Sequence, residues 1–266
     1  MALAESDWAF FYKHRLIMRR SLAELSWVLI FPFITLFSIG ILTRYIVSID
    51  DARDIGGFIL VGTFVWTFYS LVQRAMSYGV MFDIWNRCLV HIIIAPRFVR
   101  SFLVGNALFG VSSAVFTTVL TGACAYVMFG FNILDAGWIL PLALGIISLY
   151  AMAEGLVIVS FVLTHGYEYV ALIWQLVGII MILSGVYYPI SLFPLWLKAA
   201  SLLLPHTHVL VALRTVMFPA LMDVEVNAFH HLGYGLLLAV VYLALGIKLF
   251  YRALDESRTT GAITDL

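Results

Sequence analysis

Apolar residues in this chain do not recur with the period of a half-buried helix or strand; they run on. Six stretches, residues 27–47, 57–81, 102–129, 138–164, 170–189 and 232–251, are apolar almost throughout. Each has about the 20 residues that a helix needs to cross roughly 30 Å of hydrocarbon. None shows the alternation and roughly ten-residue length of barrel strands, the other structure whose backbone is self-satisfied in lipid. The pattern predicts an all-α polytopic membrane protein with six transmembrane helices and a single domain over residues 1–266. Within it, residues 1–26 form a cytoplasmic interface helix, 27–251 the six-helix bundle and 252–266 a cytoplasmic tail.

Composition supports lipid as the solvent: 63% of the 266 residues are apolar and only 11% are charged, about half the charged share of a soluble domain. Fifteen Lys and Arg against fifteen Asp and Glu leave no basic excess for nucleic acid and no acidic excess of a disordered chain. The basic residues also orient the bundle. With the N-terminus inside, Lys13, Arg15, Arg19, Arg20, Arg87, Arg97, Arg100, Arg252 and Arg258 are cytoplasmic, against Arg53, Lys198 and Arg214 outside. Six spans return the tail to the cytoplasm, as expected of a multi-pass protein of the inner or cytoplasmic membrane. The first 26 residues do not read as a secretory signal, because the charged stretch is long and the following apolar run exceeds the usual core of one. Two cysteines, Cys88 and Cys124, supply no disulfide framework.

Three segments outside simple spans carry information. The first mixes Trp8, Phe10, Phe11, Tyr12, Leu16 and Ile17 with Lys13, His14, Arg15, Arg19 and Arg20, the composition of a helix lying along the inner leaflet, or of a plain basic anchor. The second, FDIWNRCLVHIIIAPRFVRS over residues 82–101, is too apolar for a solvated loop and too charged to span. Pro96 interrupts it, and a short cytoplasmic helix presented to another protein explains both halves of the pattern. In the third, residues 184–220, Pro189, Pro194, Pro205 and Pro219 cut an apolar stretch into pieces too short to span. Such pieces fit short helices that dip into the outer leaflet and return.

Inside the spans, Arg74 and Glu154 are the deep ionisable residues, at matching distances from the cytoplasmic ends. A buried Arg74/Glu154 pair holding spans two and four together is the expected arrangement, with a place in the transport path as the sharper alternative. His206, His208, His230 and His231 lack a Cys or acidic partner close in sequence, so no metal site is expected. No catalytic triad, paired-carboxylate or HExxH motif is present, and no GxxxxGK[ST] phosphate loop. Energy for any transport must therefore come from a partner or a gradient.

The order of these features resembles the type-2 ABC exporter permeases, the ABC-2 family of polysaccharide, lipid and drug exporters. IWNRCLVHIIIAPRFVRSFLVG, residues 84–105, is similar to the family's loop of charged residues, apolar triplet and small residue with Pro. SGVYYPISLFPLWLKAASLLLPHTHVLVALR, residues 184–214, is similar to its Gly, Tyr-Pro, Leu-Pro, Pro and closing Arg sequence, here Tyr188, Pro189, Pro194, Pro205 and Arg214. The first motif departs from the family at Asn86-Arg87, where an acidic-Arg pair is common.

The resemblance implies a permease that pairs with a second copy of itself and with two separate ATP-binding cassette subunits, embedded in membrane lipid and without nucleic acid. It implies a coupling helix to the ATPase over Asp83, Ile84, Trp85, Asn86, Arg87, Pro96 and Arg97. Beside it stands an interface helix carrying Trp8, Phe11, Lys13, Arg15 and Arg19. No cofactor is expected in this chain, ATP and magnesium belonging to the partner. With few charges in the spans, an amphiphile that enters from the leaflet is the expected cargo: a lipid-linked glycan, a lipid or a hydrophobic drug. Two readings from other classes stand beside this one, an intramembrane enzyme using Glu154, His206 or His208, and a gradient-driven carrier.

Overall fold

A computed structural model describes residues 2–50, 53–88, 96–221 and 227–260, and no strand occurs among the described residues. The chain opens with α1 (Ala2–Arg20). Ser21 then takes an extended conformation and caps a single helical turn, Leu22–Leu25. A π-helical stretch, Ser26–Ile30, leads into α2 (Phe31–Asp50). The remaining helices are α3 (Arg53–Trp85), α4 (Pro96–Phe129), α5 (Ile139–His165), α6 (Leu172–Leu183), α7 (Leu195–Ser201), α8 (Pro205–Met217) and α9 (Ala228–Thr260).

Five of these stretches are long and apolar enough to cross a membrane: Leu22–Ser48, Asp54–Trp85, Val99–Phe129, Ile139–His165 and Ala228–Thr259. The stretch expected as the fifth span, residues 170–189, is shorter than the sequence pattern suggests. Its α-helix, α6, has 12 residues and follows a 3-10 turn of 5, Tyr167–Ala171, which together rise about 28 Å. Gly185, at φ 66°, then turns the chain out of the helix, a conformation that costs a residue without Cβ nothing. Pro194 and Pro205 open α7 and α8, which meet at 93°, so the proline-cut segment does form a sharply bent helix pair.

Burial separates the long helices into a central pair and a periphery. In α3 and α5, 72% and 78% of the apolar window is buried, against 22% in the first span and in α9. Helices apolar on every side belong inside; α5 packs along both α9 and α3, while α4 packs on α3. Small residues allow the crossings. A Cβ at Gly155 would press on Met76 and the Gln73 carbonyl of α3, and one at Gly246 would press on the Ala153 carbonyl of α5. Hydroxyls within the spans donate to carbonyls one turn back, as Ser70 does to Trp66, Ser148 to Leu144 and Ser160 to Leu156, which removes their need for water. Thr117 of α4 instead donates across to the Val28 carbonyl inside the π-helical stretch, at 2.9 Å.

Candidate functional site: the docked N-terminal helix and the bent pair

At one end of the bundle α1 lies against α4. Its inner face is built from Phe10, Phe11 and His14: Phe10 meets Phe102 edge-on at 5.4 Å, Phe11 meets Phe109 at 6.4 Å, and the His14 imidazole stacks on Phe109 at 5.2 Å. The His14 Nε2–H donates to Asn106 Oδ1, a buried bond between residues 92 apart in sequence. Burial, reinforced by the neighbouring Lys13 charge, pushes the His14 imidazole down from 6.5 to about 4, so it is neutral at physiological pH. Lys13 turns the other way and donates to both oxygens of Asp83, at 2.6 and 2.8 Å. Asp83 lies in the last turn of α3, where a carboxylate opposes the helix dipole, and the Lys13 ammonium compensates that charge.

The outward face of α1 carries Trp8, Tyr12, Arg15 and Arg19, all exposed and spaced by about one or two turns. Of the expected interface residues, then, Trp8, Arg15 and Arg19 face out while Phe11 and Lys13 bind the bundle. The expected coupling segment is likewise divided. Asp83 and Ile84, 4% and 3% exposed, are the buried end of α3 rather than part of a separate presented helix. Trp85 is 39% exposed and packs edge-on against Tyr78, and Asn86 and Arg87 are exposed beyond the helix end. There the Cys88 amide bonds to the Asp83 carbonyl and the Arg87 amide to that of Ile84, a Schellman cap that holds Arg87 at φ 56°. Residues 89–95, including the Ile92–Ile94 triplet, lie outside the described residues. Pro96 and Arg97 begin α4, Pro96 at the first helical position where its missing N–H costs nothing.

The expected Arg74/Glu154 pair does not form. On α3 the neighbours facing α5 are Gln73, Met76 and Ser77, which meet Gly155. Arg74 sits about 200° round the helix from Met76 and so points away. Its guanidinium stacks over Trp27 at 4.1 Å and Tyr78 at 4.7 Å, and lies 3.6 Å from Glu24. Trp174 of α6 closes the cluster, beside a cavity of ≈ 240 Å³ that Trp27, Phe31, Trp66 and Arg74 also line. Both oxygens of Glu154 are buried without a hydrogen-bond partner.

At the other end, the residue that organises the bent pair is Arg214 of α8. It is not an outer-surface charge, as its place in the orientation count assumes, but only 3% exposed. One of its terminal nitrogens donates to the Gly185 carbonyl at 2.8 Å; the other donates to those of Val186 and Phe58, and the plane lies 3.6 Å over the Phe58 ring. A Cβ at Gly62 would overlap the Val186 carbonyl oxygen, so α3 has room for this turn only at a glycine. Without Arg214 the count on which the expected orientation rests becomes nine charges against two. Tyr188 donates to the Ile182 carbonyl at 3.0 Å, and Pro189 precedes a 3-10 turn, Ile190–Leu192. A cavity of ≈ 580 Å³ opens nearby, walled by Phe129, Phe131 and Phe218 with Arg44 and Asp135 at its polar side.

Neither His206 nor His208 is hydrogen-bonded to Glu154. His206 is fully buried against Trp66 and Tyr69, with neither ring nitrogen bonded, and His208 faces α9. No group of three His, Cys, Asp or Glu side chains suited to a metal ion occurs among the described residues. The acid/base constellation that an intramembrane enzyme would need is therefore not assembled from Glu154, His206 and His208. Lys13, His14, Asn106 and Asp83 form the junction that sequence reasoning missed as a unit; the signal available was the presence of His14 and Asn106 inside otherwise apolar faces.

No curated protein matches the chain. The family described as ABC-2 type transporter matches residues 7–218, from the start of the docked face of α1 to the residue that closes α8. With a helical bundle carrying five to six apolar candidate spans, four of them and the bent pair within the matched residues, this multi-pass membrane protein belongs to the ABC-2 type transporter family.

Proposed function

We propose that this chain is the membrane-spanning permease of an exporter that moves an amphiphile, a lipid-linked glycan, a lipid or a hydrophobic drug. Two copies of the chain work with two separate ATP-binding subunits, which carry ATP and magnesium, from the cytoplasmic membrane with both termini inside. Membership of the family supports a transport component that associates with an ATP-binding subunit. The observation that carries the reading further is the junction of α1 with the ends of α3 and α4. Trp85, Asn86 and Arg87 project there beside a helix fixed by Lys13 and His14. An ATP-binding subunit pressing on this end moves α1, α3 and α4 together, and α3 is one of the two central helices. A conformational change needs a partner whose contacts differ between states, and the exposed ends of α3 and α1 are the surface that supplies them.

The test is co-expression with a candidate ATP-binding subunit, such as one from a neighbouring reading frame, followed by purification and ATPase measurement in nanodiscs. The complex is expected to form with the unaltered chain, and Trp85→Ala and Arg87→Ala are expected to weaken it or to uncouple ATP hydrolysis from transport. A chain that purifies as a stable monomer, or that transports in liposomes without any ATPase, overturns the reading.

A further inference from the structure

Arg74 is a buried cation without an acceptor. Its side chain is 11% exposed; Nη1 is buried with no hydrogen-bond partner, and Nη2 lies 3.6 Å from a Glu24 oxygen, beyond hydrogen-bond reach. The faces of Trp27 and Tyr78 offset its charge, but a guanidinium donates its N–H groups in its own plane, and ring faces do not saturate them. An ionisable side chain left so within a membrane span marks a place where something else binds. Arg74 also borders the cavity of ≈ 240 Å³ walled by Trp27, Phe31, Trp66 and Trp174. The rings of Phe31 and Trp174 are exposed, so the cavity opens sideways between the first span and α6. Trp27 stands about 8 Å along its span from Leu22, which places the guanidinium at head-group depth near the α1 end.

We propose that this cavity binds the anionic head of an amphiphile, a phosphate or carboxylate on Arg74 with the adjoining apolar chain against the indoles. An oxyanion offers the paired acceptors that a planar guanidinium engages together, whereas a cationic head is repelled. The volume sets how much of the ligand enters. Clefts that enclose a drug-sized molecule run from about 300 to 1,000 Å³, so ≈ 240 Å³ takes the head and the first carbons. The rest of the chain leaves past Trp174 into lipid. Glu24 competes with the ligand for the same cation and so limits its affinity. The inference rests on the permease reading only in naming the amphiphile as cargo; the site itself stands on Arg74 and the cavity.

The test measures equilibrium binding of radiolabelled dodecyl phosphate to the full chain in dodecyl maltoside. One saturable equivalent per chain is expected, with dodecyltrimethylammonium competing at least about tenfold less well and inorganic phosphate not competing at the same concentration. Arg74→Gln, accompanied by a thermal melt because the residue is buried, is expected to weaken binding at least about tenfold. Trp174→Ala, at the exposed mouth, is expected to weaken it about fivefold, and Glu24→Gln to tighten it about threefold. Absence of saturable binding, equal competition by the cationic or the chainless probe, or binding unchanged in folded Arg74→Gln or in Trp174→Ala would each overturn the proposal. Repeating the measurement in phosphatidylcholine nanodiscs with and without phosphatidylglycerol separates the sources: displacement identifies a resident anionic lipid, and its absence identifies cargo. None of these measurements needs an ATP-binding subunit, so failure here leaves the co-expression result standing, and failure of co-expression leaves the site.

Discussion

Each end of the bundle is tied by one cation, and the two ties differ in kind. At the α1 end the Lys13 ammonium meets a carboxylate, Asp83, and the neighbouring contact passes through an imidazole and an amide, His14 and Asn106. At the other end the Arg214 guanidinium meets no carboxylate among the described residues; it is held by the main-chain carbonyls of Gly185, Val186 and Phe58. Carbonyls carry no net charge for salt to screen, whereas Lys13 is partly open to water and its attraction to Asp83 weakens as salt rises. One end is built as a fixed hub and the other as a joint that conditions can loosen.

The contrast is broken most strongly at Arg214. Arg214→Ala leaves the buried Gly185 and Val186 carbonyls without their donor and a void over Phe58, and is expected to cost about 3 kcal/mol or more, read as a fall in the thermal midpoint in detergent. Arg214→Lys is expected to recover little, since a point donor does not span carbonyls that a planar fork reaches together. Lys13→Ala leaves Asp83 buried and unpaired, and is expected to release α1 at a cost of about 1 to 2 kcal/mol, seen as faster amide exchange in α1 with the bundle unchanged. An effect of that size on α9 instead would show that the joint and the hub are not separable.

The His14 contact sharpens the comparison through pH. Its imidazole titrates near 4 when docked and near 6.5 when released, so the released form binds the proton more readily between those values. Docking of α1 is therefore complete above about pH 6.5 and weakens progressively as pH falls toward about 4. Distances between spin labels on α1 and α4, with Cys88 and Cys124 replaced, are expected to lengthen over that window and to stay constant in His14→Gln. The smallest effect belongs to the helix end itself: Arg87→Gly relieves the left-handed backbone at φ 56° and is expected to stabilise the cap by about 0.5 to 1 kcal/mol. A loss of coupling in that stabilised variant isolates the side chain's contact with a partner from its effect on folding.

The spans were legible because hydrocarbon imposes one length on every crossing helix, and an apolar run of that length has few other uses. The helical break-up of 184–220 was legible for a related reason, proline being a local instruction. What escaped the sequence was azimuth. Arg74 and Glu154 have matching depths, but depth says nothing about which side of α3 faces α5, and Met76 rather than Arg74 occupies that side. Arg214 escaped because a lone basic residue in a proline-broken stretch reads as a surface charge until the carbonyls of a distant turn are placed around it. Lys13 and Asp83 are 70 residues apart, and nothing in the spacing joins them.

The extended residue at position 21 determines how a push on this protein travels. α1 and the first span are separate rods meeting at a one-residue swivel, and the span begins again with its own cap at Ser21. Torque on α1 therefore does not wind into the helix that follows it in the chain. It crosses sideways, through Asp83 and Asn106, into the second and third spans, and returns to the first membrane crossing only from their flanks, at Glu24, Trp27 and Val28, so the lever reaches its own covalent neighbour last.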